Sequence, residues 1–410
     1  MRISAFLLAV VASGPAVAAT ITVAPGGDAQ ERLQTALIEA KPGDRLQLSA
    51  GRYALAGGLS LDVAGVTVAG AGPGKTILDF SGQKGEGEGL LVTSNDVVVR
   101  DLAVENAKGN GIKSKGSDGI SFLNLRVEWT GGPKASNGAY GVYPVSSKHV
   151  LIDNVFVKGA SDAGIYVGQS QQIVVRNSHA TGNVAGIEIE NSYNADVHHN
   201  VATGNTGGIL VFDLPDLPQQ GGHSIRLFDN EVTANNHTNF AGRGNIVASV
   251  PPGTGVMVMA NRNVHIFDND IADNGGNAIM LVAYRNAFTD RNYNPLPRSI
   301  VVRGNSYSGN GAAPKFPGGA QIAAAVGGTL PAVMWDGVTA FSVPGGGLAV
   351  KADGAIVVSD SPLLNLNLKT QGASPDTARP EVAMMPAMAS AREPAAIVLP
   401  AAQEARAKGR

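Results

Sequence analysis

The segment AGIEIE at residues 185–190 alternates small or apolar residues with acids. On a β-strand alternate side chains leave by opposite faces, so Glu188 and Glu190 would stand together on the face turned away from a core. Two carboxyl groups so placed suit two kinds of chemistry. They form an acid–base pair for cleaving a glycosidic bond, where such groups stand roughly 5–9.5 Å apart, or they hold a calcium ion, which takes oxygen ligands. The segment AGIYVG repeats the pattern 22 residues earlier, with Tyr166 in the place of Glu188 and Gly168 in the place of Glu190. Before it, YGVYPV and IKSK put Tyr143, then Lys113 and Lys115, in the same two columns. Elimination or epimerisation beside a carboxylate needs a group that neutralises the carboxylate, a base for the proton and an acid for the leaving oxygen. A lysine with a tyrosine fills the last two roles, and a cation between Glu188 and Glu190 the first. The candidate catalytic residues are therefore Glu188, Glu190, Tyr166, Tyr143, Lys113 and Lys115. Calcium is the one cofactor this chemistry suggests, and no separate metal site is expected.

These residues gain a common face only if the chain is a solenoid. Apolar residues that close one recurring strand fall at Val99, Phe122, Ile152, Val175, Val197, Leu227, Ile266 and Val302. Those that open a second fall at Ile112, Val142, Ile165, Ile187, Ile209, Val256 and Ile279. The shortest repeat is 22–23 residues, the length of one coil of a parallel β-helix, and coils must stack to bury their apolar side. Asn183, Asn205, Asn235, Asn274 and Asn310 recur at one turn, where stacked amides bond along the column. The expected fold is all-β, a right-handed parallel β-helix of about ten coils. A short helix over residues 28–40, with Leu33, Ala36 and Leu37 on one side, would cap the first coil.

Departures from the period locate the working face. Extra residues enter at 129–138 and 235–254 before the second strand, and at 212–222 and 283–298 after it. Insertions on a solenoid become loops around a binding face, so these would wall a groove floored by the candidate row. Beyond Glu188 and Glu190 the floor turns apolar, through Leu210, Phe212, Met257, Met259, Met280 and Val282, and the longest loops are expected to fold over it. Asp213, His223, His237, Arg243 and Arg285 belong to the walls and are the candidate substrate-binding residues.

Composition sets the remaining bounds. Fifty-three glycines and no cysteine in 410 residues suit many tight turns and exclude disulfides, thiolate metal sites and thiol nucleophiles. A net charge of −2 offers no basic footprint for nucleic acid. Arg2, the apolar run from Ala5 to Val11 and Ala16-Val17-Ala18 read as a signal peptide over residues 1–19, cleaved near Ala18. No run is long and apolar enough for a transmembrane segment, so the expected location is periplasmic or secreted. The wound domain is expected over residues 20–369, and the Ala/Pro-rich residues 370–410 as a mobile tail, in which the apolar patch at residues 396–402 is the one part suited to docking on the last coil.

The stretches KTILDFSGQ (75–83), NGAYGVYPVSS (137–147), GASDAGIYVGQS (159–170), VAGIEIENS (184–192), GGILVFD (207–213) and PPGTGVMVMA (251–260) resemble one family. It comprises secreted right-handed parallel β-helix repeat proteins of unassigned function, often encoded beside a c-type cytochrome-like protein. The family has no assigned catalytic residues, so the resemblance implies the fold and an exported partner but transfers no site. More distantly the scaffold is similar to pectin-lyase-like enzymes, alginate lyases and epimerases, and β-helix accessory proteins of nitrous oxide reductase. The Asp-Pro-His-Asp stretch of alginate epimerases and the Gly-His-Gly and Arg-Ile-Lys elements of polygalacturonases are absent. Two functions follow as expectations. One is binding or modification of a polysaccharide in the groove, lyase- or epimerase-like if catalytic. The other is a non-catalytic scaffold that docks an exported partner such as a c-type cytochrome.

Overall fold

The computed structural model describes residues 18–350, 354–386 and 392–409. The expected export segment, apart from Ala18 and Ala19, lies outside the described residues. From Thr20 the chain winds as a right-handed parallel β-helix. A 19-stranded sheet holds two strands of most coils, and a 12-stranded sheet holds the third. The 12-stranded sheet has eleven parallel strands, from Leu59–Leu61 to Leu363–Asn365, and is closed by the antiparallel strand Glu381–Ala383.

The apolar columns pair in register. Val99, Phe122, Ile152 and Val175 align on adjacent strands of the large sheet. Ile112, Val142, Ile165, Ile187 and Ile209 align on the other. All are fully buried, and β-branched side chains pack well between pleated strands. Where the large sheet bends, Asp101, Asn124, Asn154, Asn177 and Asp229 adopt left-handed backbone, with φ between 49° and 56°. Asn and Asp accept that conformation more readily than other residues with a Cβ.

The expected asparagine column forms a ladder. Each Oδ1 accepts both the backbone N–H and the Nδ2–H of the asparagine one coil earlier, from Asn183 through Asn205, Asn235 and Asn274 to Asn310. A second ladder runs through Asn200, Asn230, Asn269 and Asn305. These amides satisfy the polar groups of turns that no water reaches.

Helix α1 (Ala29–Glu39) caps the first coil with Leu33 and Leu37 buried beneath it. Gln34 pairs with both the N–H and the C=O of Ser60, which closes part of the open edge of Leu59–Leu61.

The C-terminal end departs from expectation. Helix α2 (Gly319–Ala325) interrupts the winding inside the expected wound domain. Residues 392–409, assigned to the mobile tail, lie back along the large sheet. Leu399 is buried against Val98, Leu123, Leu151 and Val174, and Glu393 bridges Arg226 and Arg303. Gln403 is buried in helix α3 (Ala401–Ala407), where its amide donates to the Ile120 and His149 carbonyls. The docking residues Ile397, Leu399 and Gln403 are too few to show periodicity, and their partners lie about 200–300 positions away. Among the described residues no helix is long and apolar enough to cross a membrane.

Candidate active site

The site is built on the outer face of four adjacent strands, Ile112–Lys115, Tyr140–Val145, Ala163–Gly168 and Ala185–Glu190. Register places Tyr143 beside Lys113, Tyr166 beside Glu188 and Gly168 beside Glu190. The columns are those the alternation predicts, but the environment differs. Tyr166, Glu188 and Glu190 were expected on an open floor, whereas they are 5%, 1% and 6% exposed. The segment between Asn235 and Thr254 folds over them, with Phe240, Ala241, Ile246, Val247 and Val250 in the same cluster as Tyr166. Asn239 ties this segment to itself by donating to the Val247 and Val250 carbonyls. Asn245 near its tip donates to the Asp162 carboxylate at 3.1 Å.

The tightest contact runs from Tyr166 Oη, which donates to Glu190 Oε1 at 2.5 Å. It depends on the neighbouring glycine. A Cβ at Gly168 would lie 2.4–2.8 Å from atoms of the Tyr166 ring, so only glycine lets the ring lie across the strand and reach Glu190. The rings of Tyr140, Tyr143 and Tyr166 gather with centroids 4.4–4.9 Å apart.

Burial dominates the electrostatics. It raises the Glu188 carboxyl well above its usual value, helped by the charges of Asp162 and Glu190. Neither Glu188 oxygen has a hydrogen-bond partner among the described residues, which agrees with a carboxyl that stays protonated. Burial also lifts Glu190 to about 7, against the hydrogen bond from Tyr166, which lowers it. Asp162 rises to about 7 through burial and the Glu190 charge, opposed by hydrogen bonds from Tyr140 and Asn245. Burial with the Glu190 charge holds the Tyr166 phenol protonated, so it is a donor and not a phenolate base. Asp162 and Tyr140 were missed from the sequence. Tyr140 has the inward parity of Val142, but the bend at the start of its strand turns it outward to the tyrosine cluster.

The other expected residues are dispersed. Lys113 Nζ pairs with Glu88 at 3.1 Å and lies 5.0 Å above the Tyr143 ring. Lys115 is exposed at the edge. Asp213, expected in a substrate-binding wall, is buried and its carboxylate accepts the Gly222 N–H. It braces the 212–222 turn, and burial lifts it to about 6. His223 opens a strand of the large sheet and stacks on Tyr193, with centroids 4.5 Å apart. His237 and Arg243 are exposed in the covering segment, and Arg285 is exposed in the 283–298 loop, bonded to the Ala373 carbonyl. His223, His237, Arg243 and Arg285 therefore do not converge on the carboxyl row, whereas Asp213 lies near enough for its charge to raise Glu190. Loop residues carry no period, so their direction could not be read from spacing.

Calcium does not fit this arrangement. The ion needs six to eight oxygens, yet among the described residues no three His, Cys, Asp or Glu side chains gather to hold a metal. Glu190 is already engaged by Tyr166.

The family profile described as right handed beta helix region matches residues 65–218. No curated protein matches the chain. Among solved structures, a thermostable α-1,3-glucanase catalytic unit from Streptomyces thermodiastaticus aligns over 80% of this chain and 52% of its own, at 17% identity and a TM-score of 0.50. The A-module of a mannuronan C-5 epimerase from Azotobacter vinelandii aligns over 72% and 89%, at 16% identity and 0.48. A family 28 exopolygalacturonase from Yersinia enterocolitica aligns over 72% and 67%, at 13% and 0.46. Likeness at these identities establishes the shared scaffold alone.

Proposed function

We propose that this is an exported glycan-modifying protein whose carboxyl row carries out acid–base cleavage of a glycosidic bond. The observation that carries the reading is the Tyr166–Glu190 contact of 2.5 Å beside a buried, unpartnered Glu188 carboxyl. Two neighbouring carboxyls with different environments are the usual basis for dividing acid and base roles. Glu188, held protonated, is the proton donor to the leaving oxygen. Glu190, lifted to about 7 and oriented by Tyr166, is the base or nucleophile. The two stand two residues apart on one strand and leave it by the same face, about 7 Å between Cα atoms.

Hydrolysis of a neutral glycan accounts for the charges better than elimination from a uronate. The Glu190 charge raises Asp162, and both raise Glu188, so a substrate carboxylate would add to that repulsion. Lys113, in the same outer column as Glu188, is paired with Glu88. The segment from 236 to 251 must lift for a chain to reach the row, and it is an irregular loop with one short 3-10 turn, Ile246–Ser249.

The test is a panel of neutral and acidic polysaccharides followed for both reducing ends and unsaturated ends. New reducing ends from neutral glycans support the reading. Ultraviolet-absorbing unsaturated ends would return it to a lyase. Silence across the panel would favour the docking of an exported partner, such as a c-type cytochrome, on the same face.

A further inference from the structure

Four methionines stand in the wound part of the chain, and all four share one outer face. Met257, Met280 and Met334 align on successive strands in the column that begins with Tyr166 and Glu188, and Met259 stands in the next column after Phe212. Val, Ile and Leu fill most of the stacked columns inside the helix, and none of these four methionines is among them. The flexible thioether of methionine is the usual choice for an irregular gap or an adaptable binding surface. Gap-filling does not explain it here, because the four side chains line a pocket of about 400 Å³ that remains open between the covering loops. That volume lies within the range of small-ligand sites.

The pocket and the carboxyl row share a floor and a roof. Along the column, Met257 lies two strands beyond Glu188 and Met334 four, about 10–19 Å away. One segment covers both, since Asn245 bonds Asp162 at the polar end while Ile246, Ser249 and Pro251 line the pocket. Arg285 and Asn286 give the pocket a polar rim. A ligand entering beneath that segment meets hydrogen-bonding groups first and an apolar cavity a few sugar lengths on.

We infer that the substrate is a saccharide bearing an apolar group, an acyl or alkyl chain, with the sugar at the carboxyl row and the chain in the methionine-lined pocket. The saccharide half rests on the function proposed above; the apolar half rests on the pocket alone.

The test titrates the full chain by calorimetry with maltose and with octyl, decyl and dodecyl maltoside, each below its micelle concentration. Maltose should give no measurable heat, whereas the alkyl maltosides should bind one to one, about fourfold tighter per added methylene until the pocket is full. Ser249→Trp fills the pocket from the exposed roof without touching the sheet and should weaken dodecyl maltoside at least tenfold. Met280→Leu keeps the pocket apolar and should retain binding. Glu190→Gln should also retain it, which separates this claim from catalysis. Absence of saturable binding, or equal binding in Ser249→Trp, overturns the inference. Dodecyl sulfate binding as tightly as dodecyl maltoside would overturn the saccharide half and leave a plain acyl site.

Discussion

Glu188→Gln isolates the electrostatics of the carboxyl row, because it keeps the side-chain shape and removes only the ability to ionise. In the unfolded chain Glu188 titrates near 4.3. In the folded chain burial, Asp162 and Glu190 hold it protonated well above that. Between those values the folded protein keeps a proton that the unfolded chain has released, so stability falls as pH rises, by about 1.4 kcal/mol per unit. Each pH unit between those limits therefore withdraws stability through Glu188 alone. The amide brings a desolvation cost of about 1–3 kcal/mol, but that cost does not vary with pH. Asp162 and Glu190 contribute slopes of the same sign in both proteins. Urea unfolding at pH 5, 6 and 7 should thus show the variant gaining on the wild type as pH rises, by up to about 1.4 kcal/mol per unit. A difference that stays constant with pH would mean Glu188 is ionised in the folded protein, and the assignment of proton donor would fall with it.

Four further outcomes follow from the same geometry. Gly168→Ala drives a methyl group into the Tyr166 ring and should cost about 1–3 kcal/mol in thermal unfolding, with loss of the Glu190 contact and of turnover. Asn205→Ala breaks the ladder at a fully buried rung and should destabilise by about 1–3 kcal/mol per group left unpaired, read as a lowered urea midpoint. Leu399→Asp puts a charge against Val98, Leu123 and Leu151, so limited proteolysis should remove the C-terminal segment while the wound core survives. Activity should rise as pH climbs through about 7, as Glu190 ionises, and fall where Glu188 does. A rate profile flat between pH 5 and 9 would contradict the division of roles.

How much was legible in the sequence depended on periodicity. The Ile112-to-Ile279 column and the asparagine turn repeat in every coil, so spacing alone placed them in register. The same alternation correctly turned Tyr166, Glu188 and Glu190 away from the core. It could not show what lies above them, because the segment between Asn235 and Thr254 has no repeat, and its contacts, such as Asn245 with Asp162, join residues 83 positions apart. His223 was hard to place for the same reason: it borders an insertion, but it opens a strand of the large sheet and stacks on Tyr193. Tyr140 escaped because strict parity fails at a strand's bent first residue. The docking of residues 392–409 was legible only as the apolar patch at residues 396–402, and its place along the large sheet was not, because an alanine-rich helix and two isolated apolar side chains carry no local signature of the sheet they cover.

Product analysis on neutral glycans, with wild type beside Glu190→Gln, tests the central claim most directly. The account predicts new reducing ends from the wild-type protein near neutral pH, and a loss of at least a hundredfold in the variant, the scale set by removing a positioned acid or base. Equal release by both proteins, or unsaturated ends in place of reducing ends, would contradict it.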